Sequence, residues 1–171
     1  KLPITENSNL NPNDYYGMSK VISEYSVFNY KTETPKLILR LPGVYGSKND
    51  KFSIIEKFSS SIIKGNEIII EGDGNQLRDY VYIDDINKII SMYYYKPVSG
   101  IYNFVTGNSI SVLSIIKKIS SILKIEPNIA YVKKNNRTND LIYNNAKFLN
   151  KFNGFEFINI KFGIERYLKQ K

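Results

Sequence analysis

Short apolar runs alternate with longer stretches of helical periodicity along this 171-residue chain, and glycine, proline and asparagine separate them. That alternation is the strongest constraint on its fold. A strand–helix–strand order builds a mainly parallel sheet covered by helices. Leu37–Leu41 reads as a short buried strand, introduced by Pro35 and ended by Pro42-Gly43. Ile68–Ile70, Tyr80–Ile83, Ile101–Val105 and Ile129–Val132 read as further strands, with Gly72-Asp73-Gly74-Asn75 as a tight turn between the first two. Helical spacing predicts a helix from about Asp14 to Tyr30, its Met18, Val21, Ile22, Tyr25 and Phe28 face packed against protein. It predicts others over Phe52–Ile63, stopping at Gly65, and from an Asp84 or Asp85 cap to about Tyr95. Ser111 starts another, with Val112, Ile115, Ile116, Ile119 and Leu123 on one face, and two short helices follow near Asn145–Phe152 and Phe162–Lys169. The expected class is α/β.

Composition removes several kinds of chemistry. The chain has no cysteine and no histidine. Disulfides, thiolate metal sites, zinc catalysis and Ser-His or Cys-His nucleophiles are therefore not expected, and no metal site is assigned. Residues 1–20 are polar and no apolar run approaches a membrane span, so neither a signal peptide nor a membrane partner is expected, and the cytoplasm is the default location. The net charge of +8 falls on residues 117–171, which hold 12 basic and 4 acidic side chains. That excess either attracts an anionic ligand or reflects a composition rich in lysine, asparagine, isoleucine and tyrosine. Basic residues interleaved with stacking aromatics are not seen, and no nucleic-acid partner is expected.

One spacing carries chemistry. In Tyr-Gly-Met-Ser-Lys, Tyr16 and Lys20 lie four residues apart, within about 40° of each other around a helix at roughly 100° per residue. The apolar stripe of the same helix is centred on nearly the opposite side. A phenol and an ammonium thus share a face that the core does not claim. The positive charge favours loss of the phenol's proton, as a general acid/base on a hydroxyl requires. Alone, the pentapeptide reads more readily as an ordinary exposed Tyr/Lys pair.

Its surroundings point elsewhere. LPITENSNLNPNDYYGMSK (2–20), LRLPGVYG (39–46), GDGNQLRDYVYIDD (72–85), residues 102–116 and RTNDLIYNNAKFL (137–149) follow one another in the order of motifs found in extended short-chain dehydrogenases/reductases. The chain resembles the second half of the nucleotide-sugar epimerases and dehydratases of that family. The resemblance implies the C-terminal part of a Rossmann-like doubly wound sheet plus a smaller α/β substrate-binding lobe. Residues 1–46 and about 79–107 would form the remainder of the Rossmann-like domain, and about 47–78 and 108–171 the lobe.

It also implies roles. Tyr16 would be the catalytic acid/base, with Lys20 beside it on the nicotinamide ribose. Gly43 and Val44 would lie along NAD or NADP, and Tyr45 against the substrate. Arg78 and Arg137 would hold the diphosphate of a nucleoside-diphosphate sugar, a task suited to the planar guanidinium. Only 4 arginines stand among 20 lysines, and three of the four (Arg40, Arg78, Arg137) fall in these motifs. For Arg40, an ion pair at a strand end and a ligand role both stay open. Asp79 and Asp84 read as residues that orient neighbours and cap a helix. Gly43 and Asn144 stand where asparagine and aspartate are usual, which bears on substrate more than on family.

The family's glycine-rich dinucleotide turn has no counterpart before Tyr16, so the chain is expected to be one truncated unit that binds dinucleotide poorly and is inactive alone. The expected activity is that of a nucleoside-diphosphate-sugar 4-epimerase, the alternatives being a 4,6-dehydratase, a keto-sugar reductase or a non-catalytic binding protein of the same fold. Relatives imply a homodimer.

Overall fold

A computed structural model describes residues 1–47, 53–133 and 139–170. After a loop, α1 (Tyr15–Asn29) leads into β1 (Leu37–Arg40) and β2 (Gly43–Tyr45). Then come α2 (Ile54–Lys64), β3 (Ile68–Glu71), β4 (Leu77–Arg78), β5 (Tyr80–Tyr82) and α3 (Ile83–Tyr95). The chain closes with β6 (Gly100–Asn103), β7 (Ile110–Ser111), α4 (Val112–Leu123), β8 (Ile129–Val132), α5 (Ala146–Lys151) and α6 (Ile160–Lys169). β1 pairs in parallel with β6, β2 with β5 and β3 with β8, while β4 and β7 are antiparallel. The α/β expectation holds, because each parallel pair needs a crossover and helices supply it.

Two cores hold these elements. In the first, Ile55, Phe58 and Ile62 of α2 meet Ile115, Ile116 and Ile119 of α4 over Ile68 and Ile70 of β3. These residues recur at three- and four-residue spacing, which places them on one stripe of each helix. Each full burial contributes about 1.5–3 kcal/mol. Ser59 tolerates the same interior because its hydroxyl donates to the Ile55 carbonyl at 2.6 Å. The helices stop and start where the sequence indicates. α2 ends on Gly65 in the left-handed region (φ 67°), and Ser111 Oγ accepts from the Ser114 N–H to open α4.

The second core is aromatic. Tyr102, Phe104, Phe148, Phe152 and Phe155 pack with Val81 and Ile89, and Phe148 meets Phe104 edge-on at 5.0 Å between ring centroids. Residues 148–155 pack beside β1 and β6, because their rings complete the Tyr102–Phe104 cluster. The expected helix cap differs. Tyr82 occupies the cap position of α3 without a side-chain bond, and Asp84 and Asp85 lie in the first turn. Both Asp85 oxygens accept from the Ile158 N–H, at 3.1 and 3.2 Å, and Asp84 pairs with Arg166 at 3.5 Å. Their reach is tertiary, not local.

Two contacts yield expectations for stability. A Cβ on Gly163 would sit 2.0 Å from the Tyr45 hydroxyl oxygen, and that hydroxyl is buried without a hydrogen-bond partner among the described residues. Gly163→Ala is expected to cost about 1–3 kcal/mol by overpacking. Tyr45→Phe should be neutral or stabilise by about 1 kcal/mol, since it removes an unsatisfied group. Combining the two should recover part of the alanine's cost, a coupling that urea denaturation of the four proteins reads directly.

Asp79, between β4 and β5, accepts from the Thr106 N–H (3.1 Å), the Thr106 hydroxyl (2.8 Å) and the Gly107 N–H (2.9 Å). Asparagine turns a donor toward one of those N–H groups, so Asp79→Asn is expected to cost about 1–3 kcal/mol. Burial raises the Asp79 carboxyl above its ordinary value, against the pull of these hydrogen bonds. The folded state then holds this proton more tightly than the unfolded one. Its contribution is complete below the unfolded value near 3.8 and is lost as pH rises through the folded value. Denaturation at pH 7 and at pH 4 should therefore show the gap to Asp79→Asn widening in acid.

Candidate active site

Asp14 opens α1 by accepting from the Gly17 N–H at 2.6 Å. Along the helix, Ser19, Ser23 and Ser26 donate to carbonyls one turn back. α1 is therefore satisfied largely from within, and none of its side chains is buried. This corrects the expectation for its apolar face. Met18, Ile22, Tyr25 and Phe28 are all exposed. The helix instead turns its Gly17, Val21 and Glu24 side inward, as the partial burial of those three shows. On that side Glu24 meets the Arg40 guanidinium as a fork, with Nε–Oε2 at 3.0 Å and Nη2–Oε1 at 2.5 Å. Of the two roles left open for Arg40, the structure shows the ion pair.

Tyr16 is 71% exposed, and the Lys20 ammonium lies 5.1 Å from the centroid of its ring. The two expected partners are together, on an open face clear of both cores. They do not line the cleft formed by β2, the β4–β5 segment and the starts of α2 and α4.

That cleft has a volume of about 450 Å³. β2 contributes Gly43 and Val44 to its wall, and the β4–β5 segment contributes Gln76, Arg78 and Tyr80. Asp79, Ser53 at the cap of α2, and Ile54 and Val112, the first residues of α2 and α4, also line it. Two helix N-termini, with their partial positive charge, thus border the same space as a guanidinium. Arg78 is aimed by its own neighbours: Nη1 donates to the Leu77 carbonyl at 2.6 Å and to the Asn139 carbonyl at 2.9 Å. The adjacent carboxylate of Asp79 is spent on Thr106 and Gly107. The arrangement suits an extended anion with apolar parts.

The structure brings Gly43, Val44 and Arg78 together. It removes Tyr45, which is 1% exposed in the first core and tilted against Tyr82 at 5.3 Å. Alternation along β2 explains this, since a residue next to Val44 must point to the other side. Burial also drives the Tyr45 phenol pKa upward, so it is not available as an acid/base. Arg137 lies outside the described residues. The sequence assigns no place in the site to Gln76, although it stands in the Gly-Asp-Gly-x-Gln-x-Arg run, nor to Ile54, Tyr80 or Val112. The available signal was position, since two of them begin helices. At Gly43 a Cβ would meet the Tyr80 ring at 2.8 Å. The ring fills the room that a side chain there would need, and the cleft wall at this point is bare backbone.

Residues 1–104 match the model of the NAD dependent epimerase/dehydratase family. The chain is 35% identical over 120 residues to a dTDP-D-glucose 4,6-dehydratase of Dictyostelium discoideum, covering 68% of this chain and 28% of that protein. It is 31% identical over 170 residues to a protein of Methanocaldococcus jannaschii whose name proposes a UDP-glucose 4-epimerase, covering 96% of this chain and 55% of the other. Among solved structures, a dTDP-glucose 4,6-dehydratase from Bacillus anthracis in complex with NAD superposes with a TM-score of 0.84 at 22% identity, over 97% of this chain and 54% of that one. The chain spans about half the length of the M. jannaschii relative and less of the D. discoideum one. The fold is that of the Rossmann-like epimerases and dehydratases, and the chain belongs to the NAD dependent epimerase/dehydratase family.

Proposed function

We propose that this chain supplies the acid/base pair and the substrate side of an NAD(P)-dependent nucleotide-sugar enzyme, a nucleoside-diphosphate-sugar 4-epimerase before a 4,6-dehydratase or keto-sugar reductase. The observation that carries the reading is the joint presence of an exposed Tyr16/Lys20 pair and a cleft where Arg78 and two helix N-termini converge. The relative that aligns over nearly the whole chain, with an epimerase name, favours the first reaction. NAD or NADP, when bound, would supply the hydride acceptor. Hydroxyl and ammonium exposed on one face of α1 suit the ribose and nicotinamide end of that group, with Gly43 and Val44 beside it. Tyr16 takes the proton of a sugar hydroxyl as its carbon is oxidised, and returns it when the carbon is reduced. Lys20 lies beside the phenol, its ammonium 5.1 Å from the ring centroid. Arg78 holds the diphosphate, a role the family resemblance also gives to Arg137, and the excess charge of residues 117–171 adds a favourable field.

Turnover of UDP-glucose and dTDP-glucose by the enzyme that carries this chain together with a dinucleotide-binding segment tests the pair. Tyr16→Phe is expected to abolish turnover while leaving nucleotide-sugar affinity within about twofold, because the ring keeps its place and only the transferable proton is lost. Near-normal turnover would remove Tyr16 from the chemistry. For the cleft, calorimetry of the 171-residue chain with UDP, dTDP, GDP and NAD should show a nucleoside diphosphate binding more tightly than NAD. Arg78→Ala should weaken that binding by about 2–3 kcal/mol, the range of a charge-assisted bond. Tighter binding of NAD than of any diphosphate would overturn the assignment.

The same reading includes a homodimer formed through the exposed Met18, Ile22, Tyr25 and Phe28 face of α1. Light scattering should give twice the chain mass, and Ile22→Lys should halve it. A wild-type monomer would sink the proposal.

A further inference from the structure

α1 carries Tyr16 and Lys20 but buries no side chain within the chain, so no apolar core of the chain itself sets its rotation about its own axis. Polar contacts from the segment that follows it do. Arg40 is the last residue of β1 and is held in register opposite Asn103 of β6. Its guanidinium forks onto Glu24 through Nε and Nη2, and its third nitrogen donates to the Glu6 carbonyl at 2.7 Å. The ion pair is about four-fifths shielded on both sides, 21% exposed at arginine and 17% at glutamate. Water competes for it less than for a surface pair. The Glu6 carboxylate accepts from the Asn103 N–H at 2.9 Å, which ties the lead-in loop to the same strand. At the far end, the Lys36 ammonium donates to the Phe28 and Tyr30 carbonyls, both at 2.8 Å.

These contacts fix a helical phase. At about 100° per residue, Glu24 lies roughly 40° from Lys20 and 80° from Tyr16 around the axis. A rotation large enough to break the fork would swing the phenol and the ammonium by the same angle. A displacement of about 1 Å at a reacting group can cost on the order of a hundredfold in rate. The three-way contact also needs arginine, since a lysine ammonium cannot span both carboxylate oxygens and a carbonyl in a planar fork.

We propose that Arg40 is a positioning residue for the Tyr16/Lys20 pair: its fork to Glu24 and its bond to the Glu6 carbonyl set the rotation of α1, and through it the direction of the phenol and the ammonium. The inference rests on the acid/base reading above. Hydrogen exchange of the 171-residue chain tests the anchoring, with α4 as an internal reference. Arg40→Ala is expected to quicken exchange across residues 15–29 at least tenfold while α4 is unchanged, with Arg40→Lys intermediate. In the enzyme, the same alanine should lower kcat at least tenfold with KM for the nucleotide sugar within twofold, and Arg40→Lys should restore part of the loss. Unchanged α1 exchange in Arg40→Ala overturns the inference, whatever Tyr16 does. So does an equal loss of protection in α4, which would make Arg40 a general stabiliser, or a raised KM with normal kcat. Normal turnover in Tyr16→Phe instead overturns the acid/base reading, and the exchange result still decides whether Arg40 anchors the helix.

Discussion

In an extended strand, successive side chains point to opposite faces, and β5 uses this to join the two halves of the molecule. Tyr80 and Tyr82 enter the core of α2 and α4, while Val81 enters the aromatic core around Phe104 and Phe148. The flanking residues inherit positions from that arrangement. Arg78 and Asp79 precede β5 on the cleft side, and Asp85 follows it in the first turn of α3, where it holds Ile158. β2, paired with β5, presents Gly43 and Val44 to the cleft and Tyr45 to the core. A one-residue slip of this short strand would exchange the two cores' side chains and dismantle the cleft wall with them.

The two parts of the proposed site are built by different physics. The cleft is lined by the buried strand β5, by its less buried neighbours β2 and β4 and by the first turns of two packed helices, so its shape follows largely from apolar burial. α1 is held by charges and hydrogen bonds, with its apolar stripe in the open. The Tyr16/Lys20 pair therefore sits on an element tied to the rest of the chain by polar contacts from Arg40 and Lys36. Polar anchoring gives less free energy per residue than burial, but it is directional. Direction is what a group that moves a proton at one atom requires.

α2 and α4 were legible because their isoleucines recur at the helical period and their ends carry recognisable stop and start residues, Gly65 and Ser111. The same rule misjudged α1, where Met18, Ile22 and Tyr25 form as good a stripe. Periodicity shows that a helix has an apolar side; it does not show what that side meets. Asp84 and Asp85 misled in a similar way. They have the composition of caps, but their partners, Arg166 and Ile158, lie more than 70 residues away, beyond the reach of local patterns. Asp79 was read as an orienting residue, and its bonds to Thr106 and Gly107 have that form.

By itself the sequence determined the α/β class, the order of the elements, the Tyr16/Lys20 pairing on one helical face and the motif order that marks the family. All of these are local in the chain or periodic along it, and local spacing is enough to establish them. Tertiary structure decided which of the three residues of β2 face the cleft, that Arg40 pairs with Glu24 of α1, and that residues 148–155 join the aromatic core. Each of these depends on contacts between segments distant in sequence, which are settled by the burial and hydrogen bonding of the whole chain.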